Sequence, residues 1–187
     1  MSLTVFLEQS RPTLTSRWVE AANAVYPFAT TGFLRTKQNA FANPVGQRSR
    51  DLSEHLLNAT VGFPHDSSAL RAALEEFVRV RAVQDMPVET SLSVMFAYKN
   101  IIRNYIAERN ITLTGDDKAL LHASDERCDT LTLLAFGMYA RSREALFNAR
   151  LEDMRRRHSQ ILRLAQRHNL ASEADGDASD ETENTAS

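Results

Sequence analysis

The chain has 187 residues, 43% hydrophobic and 25% charged, with a net charge of −2. That is enough apolar material for one soluble core, and no stretch approaches the roughly 20 apolar residues that span a bilayer. A single Cys, Cys128, excludes an intrachain disulfide framework and fits a reducing cytoplasm. The N-terminus MSLTVFLEQSRP has no basic region followed by an apolar one, so no signal peptide is expected.

Six Gly and five Pro over this length favour long helices. Leu3, Phe6, Leu7, Leu14, Trp18, Ala21, Ala22 and Val25 recur at helical spacing, which predicts a helix over residues 3–25. Pro12 should kink or divide it, and Tyr26-Pro27 should end it. A connector follows, with a short helix near 29–37 and then the turn FANPVG (Phe41–Gly46). A further helix is expected from about Gln47 to Val61, with Leu52, Leu56, Leu57 and Val61 on one side. Gly62-Phe63-Pro64 stops it. Asp66 or Ser67 can cap the next, about 67–84, whose stripe is Leu70, Ala73, Leu74, Phe77, Val78 and Val83.

The stretch RAVQDMP (Arg81–Pro87) separates that helix from another expected to reach about Ile111. Pro87 suits a first helical turn, and Glu89 can serve the exposed amides. Arg81 and Asp85 are four apart and could pair across the last turn. Thr114-Gly115 breaks the pattern again. The last helix, about 116–167, would be about 75 Å long, whereas a compact body of this size is about 40 Å across. Its end is therefore expected to protrude. Phe147, Leu151, Met154, His158, Ile161 and Ala165 follow the spacing of a coiled-coil seam, which calls for a second copy or another protein. From Ala171 the chain reads ASEADGDASDETENTAS, with six acids, no base and no apolar residue larger than Ala. Such a tail is expected to be disordered, and the remainder carries a net of +4. The expected fold is all-α: a helical bundle over 1–168 with a long C-terminal helix, and an acidic tail over 169–187.

No phosphate-binding glycine loop, HExxH or CxxC is present. His55, His65, His122, His158 and His168 make no local ligand pairs, and no metal site is expected. No nucleophile stands beside a base in a readable pattern, so the chain does not read as an enzyme. Cys128 lies near Leu131 and Leu134 and reads as a small core residue. A helical interior with Phe77, Met95, Phe96, Phe136 and Met138 could hold haem or another flat ligand, with His55 or His122 as the ligand to iron. The same stripe fits plain core, and no cofactor is assigned. Arg150, Arg155, Arg156, Arg157, Arg163 and Arg167 against Glu152 and Asp153 give a net of +4 that could meet phosphates. With no aromatic interleaved, nucleic acid is the weaker reading beside a solvated helix face.

Three segments resemble one family. Arg17-Trp18, Tyr26-Pro27 and FANPVG form the first. RAVQDMP with VMFAYKNIIRNYI (Val94–Ile106) forms the second, and LLAFGMYARSREALFNARLEDMRRR (Leu133–Arg157) the third. Together they are similar to the RsbRD-type N-terminal domain, named for RsbT co-antagonists of the bacterial stressosome. The resemblance covers about residues 17–160 and marks Asn43, Pro44, Gly46, Gln84, Asp85, Tyr139, Arg143 and Glu144 as structural motif positions. It implies a cytoplasmic sensory or regulatory domain, often fused to a STAS module or a kinase; neither pattern is present after Leu170. It implies action through protein–protein contact, as a homodimer or with a regulatory partner, in stress response or anaerobic redox and energy metabolism. By analogy with other stressosome sensors, a globin-like bundle is a further expectation.

Overall fold

The computed structural model describes residues 2–26 and 44–183, with side chains of the last helix described through Ala165. The described residues are helical and contain no strand. Helix α1 spans Leu3–Gln9 and α2 spans Arg11–Ala24. The single helix expected over 3–25 is thus divided at Ser10, and Pro12 sits in the first turn of α2, where a missing N–H costs nothing. Helix α3 is Pro44–Val61 and begins three residues earlier than expected, so Pro44 and Gly46 belong to the helix. Proline's fixed φ favours a helix start, and here it outweighs the turn character of Asn-Pro. Gly46 is buried in α3. Asn43 and the short helix expected near 29–37 lie outside the described residues.

Helix α4 is Ser67–Val83, capped as expected by Asp66, whose Oδ1 accepts from the Ser68 amide at 2.8 Å and the Ala69 amide at 3.2 Å. The helix expected over 87–111 is three pieces: α5 (Val88–Leu92), a 3₁₀ turn (Ser93–Phe96) and α6 (Ala97–Glu108). The cause is visible in the carbonyls. Ser91 O accepts from Arg81, Val94 O from the Trp18 indole at 3.0 Å, and Met95 O from the Cys128 thiol at 3.1 Å. Side chains from three other helices compete for these acceptors and tighten the backbone locally. Helix α7 runs Gly115–Glu183. Its backbone runs past the expected end near 167 and into the acidic segment from Ala171, for which disorder is the expectation.

The backbone divides into two compact units, Met1–Arg143 and Glu144–Ser187. In the first, α2 packs on α3 and α6, and α3 packs on α4. Trp18 is its centre, wholly buried, stacked on Tyr98 at 5.7 Å and tilted against Phe77 at 5.6 Å. The Tyr98 hydroxyl donates to Ser53 O at 2.8 Å. Both polar tips are therefore satisfied inside the core, which lets these large rings be buried. Leu52, Leu56, Leu57, Leu70, Leu74 and Val78 complete the packing, as their spacing requires.

Candidate functional site

The RAVQDMP stretch is a Schellman turn. The Asp85 amide donates to Ala82 O at 3.2 Å and the Met86 amide to Arg81 O at 3.3 Å. Asp85 holds φ of +59°, a left-handed position usually given to Gly and one that Asp tolerates better than most residues. Asn110 repeats the device after α6 with φ of +54°.

Every exit from this turn is tied. Tyr139 on α7 donates its hydroxyl to Met86 O, and Arg143, one helical turn on, bonds both Ala82 O at 3.1 Å and the Asp85 carboxylate. Gln84 accepts from the Tyr26 hydroxyl at 2.9 Å through its amide oxygen. Four motif residues, Gln84, Asp85, Tyr139 and Arg143, thus meet at one turn. Glu144 does not join them; it is exposed.

Arg81 corrects the expectation of a pair with Asp85. It is 1% exposed and turns inward, donating to Ser91 O and Ala22 O, each at 2.8 Å. Its guanidinium lies 4.0 Å from the Phe77 ring centroid and 5.7 Å from that of Tyr26. Burial lowers its pKa, and the nearby Tyr26 opposes that shift. Burial raises the Tyr26 hydroxyl in turn, which keeps it a donor. Two rings and two carbonyls replace the carboxylate a buried arginine usually finds. Sequence reasoning missed this because Arg81 falls beside the apolar stripe of α4 and its partners are 10 and 59 residues away.

The residues expected to line a cofactor chamber are not brought together. Phe77, Met95 and Met138 are buried, whereas Phe96 and Phe136 are 44% and 52% exposed and line an open apolar groove of about 420 Å³ with Leu133. His122 is exposed beside Glu126 at 3.5 Å, and His65 bonds Phe63 O at 2.9 Å. No group of three metal-ligating side chains occurs among the described residues.

Cys128 is buried, as its neighbours suggested. Burial pushes its thiol up to about 11 from 9.0. An unfolded chain ionises this thiol first, so its contribution to stability is complete below about pH 9 and is lost as pH rises through about 11. The loss approaches about 2–3 kcal/mol. Urea unfolding at pH 8 and 10.5 should show a smaller drop for Cys128→Ser than for the unaltered protein. Equal drops would place the alkaline sensitivity elsewhere.

The terminal seam lies in the second unit. Phe147, Met154 and Ile161 are 61%, 57% and 63% exposed; Leu151 is half-buried, and His158 and Ala165 are exposed. Within the arginine stripe, Arg156 pairs with Glu152 at 3.2 Å and Arg157 with Asp153 at 2.6 Å, both four residues apart. No described helix is long and apolar enough to cross a membrane.

An all-helical domain built around a tied turn, with no metal cluster among its described residues, is the class that this geometry defines. The chain belongs to the family of the RsbT co-antagonist protein rsbRD N-terminal domain, whose model matches residues 12–154. This is a regulatory rather than a catalytic family. No match is found among curated proteins or among solved structures.

Proposed function

We propose that this chain is a non-enzymatic regulatory module of stress signalling that works by protein contact, pairing with a second copy through its terminal helix. The exposed seam carries the reading: three large apolar side chains at 57–63% exposure recur at heptad-like spacing. Arginines beside the seam suit the flanks of a helical pair rather than its centre. The tied turn supplies the sensory half. It joins Tyr26, α4 and α5 to Tyr139 and Arg143, so a shift in the bundle alters the hold on α7.

Light scattering at high concentration should give a dimer for the full chain. Phe147→Ser with Ile161→Ser should give a monomer of unchanged helix content. A monomeric full chain, with truncation after Arg150 altering no interaction, overturns the proposal. A monomer that loses a native protein partner on truncation replaces the second copy with that partner.

A further inference from the structure

The residues that border the terminal seam all avoid negative charge. With Phe147, Met154 and Ile161 at heptad position d, Leu151, His158 and Ala165 fall at a. The flanking e positions are then Asn148, Arg155 and Leu162, and the g positions Arg150, Arg157 and Leu164. The three arginines are exposed, and no flank holds a carboxylate. Glu152 and Asp153 sit at b and c, and they pair with Arg156 and Arg157 inside the helix. Among the described residues Arg150 and Arg155 have no ion pair. Leu162 and Leu164, 50% and 65% exposed, add apolar surface at the end of the same stretch. All these residues lie in the second unit.

Flank charges select the partner of a helical pair. In a parallel, in-register pair, g faces e of the next heptad. Arg150 would then meet Arg155 of the second copy, twice by symmetry. In an antiparallel pair g faces g and e faces e, and arginine again meets arginine or an uncharged residue. A second copy therefore covers the apolar seam but opposes it at the flanks. We infer that the preferred occupant of the seam is an amphipathic helix of another protein, with an apolar stripe bordered by Glu or Asp. This rests on the reading of the seam as a helix-pairing surface and changes which helix fills it best. The second copy is the weaker occupant and is displaced by the acidic one. The chain's own acidic segment from Ala171 is no substitute, because it has no apolar residue larger than Ala to cover the seam. A lipid surface takes a broad apolar face, whereas arginines bound this strip on both sides.

The full chain carrying Arg150→Glu, Arg155→Glu and Arg157→Glu presents the same seam with acidic flanks and serves as the probe. Circular dichroism checks that its helix content is unchanged. Equilibrium sedimentation, with one component labelled at its N-terminus, compares the mixed pair with each pair of like chains. The mixed pair should be at least tenfold tighter than the unaltered pair at low salt. That advantage should shrink in about 1 M NaCl, where the screening length is about 3 Å. The unaltered pair should tighten over the same change. Arg150→Gln with Arg155→Gln should also pair with itself more tightly than the unaltered chain does. A mixed pair no tighter than the unaltered one, or an advantage indifferent to salt, overturns the inference and leaves the second copy as occupant. So does preferential binding of the unaltered chain to phosphatidylserine vesicles. A mixed pair that forms where the unaltered chain stays monomeric upholds the inference and removes the second copy instead.

Discussion

Replacing Arg81 with Ala should lower the unfolding free energy by about 3–5 kcal/mol, one of the largest single-residue effects in the molecule. Two terms add. The carbonyls of Ser91 and Ala22 lose their donors while still buried, at about 1–3 kcal/mol each. The side chain also leaves a void against Phe77. Part of the loss is returned because a desolvated cation is removed. Arg81→Met separates the terms: it fills the void but donates nothing, and should cost about 2 kcal/mol. Arg81→Lys should not rescue, because one ammonium on a flexible stem does not reproduce a planar fork held over a ring. Urea unfolding monitored by circular dichroism measures all three. Equal stability of the Ala and unaltered proteins would show that the buried guanidinium contributes nothing net.

The consequence is local as well as global. Arg81 fixes α4 to α5 through Ser91 O and to the end of α2 through Ala22 O. Its own carbonyl accepts the Met86 amide that closes the turn. A variant at this position should therefore loosen the turn before it loosens the Trp18 core. Amide exchange at Met86 should rise more than at Ser53–Leu57.

Much of the bundle is legible in local pattern. Leu52, Leu56 and Leu57 are buried because a 3.6-residue period forces them to one face. Asp66 caps because its short carboxylate reaches two free amides wherever a helix begins there. The division of the 87–111 run is not legible, because it depends on donors at residues 18, 81 and 128 that share nothing with it in sequence. The inward turn of Arg81 is hidden for the same reason: a stripe counts apolar positions and prices an arginine as surface. The candidate site is half legible. Family resemblance marks Gln84, Asp85, Tyr139 and Arg143, but their meeting at one turn is tertiary, with 58 residues between Asp85 and Arg143. Glu144, the next residue, points about 100° away on an ideal helix, and so the same motif run does not deliver it to the turn.

The second large effect belongs to the hold of α7 on this turn. Tyr139→Phe with Arg143→Ala should cost about 2–3 kcal/mol. Tyr139→Phe alone should cost about 1 kcal/mol, since it removes one hydrogen bond to Met86 O. Arg143→Ala removes a bond to Ala82 O and an ion pair whose members are 37% and 62% exposed. Solvent screening limits that ion pair to under about 1 kcal/mol. Both side chains restrain the same few residues, so the double variant should fall at the low end of that range. Asp85→Gly isolates the backbone part. Glycine relieves a left-handed φ worth about 1 kcal/mol and forfeits the weak ion pair, so the change should be near neutral in the unaltered protein. In the Arg143→Ala background no ion pair remains to lose, and Asp85→Gly should then stabilise by about 0.5–1 kcal/mol. That difference between backgrounds is the coupling between turn and helix, read directly from four urea curves. Identical effects of Asp85→Gly in both backgrounds would mean that the Asp85–Arg143 ion pair contributes nothing to the coupling, leaving the bonds to Met86 O and Ala82 O as the hold on α7.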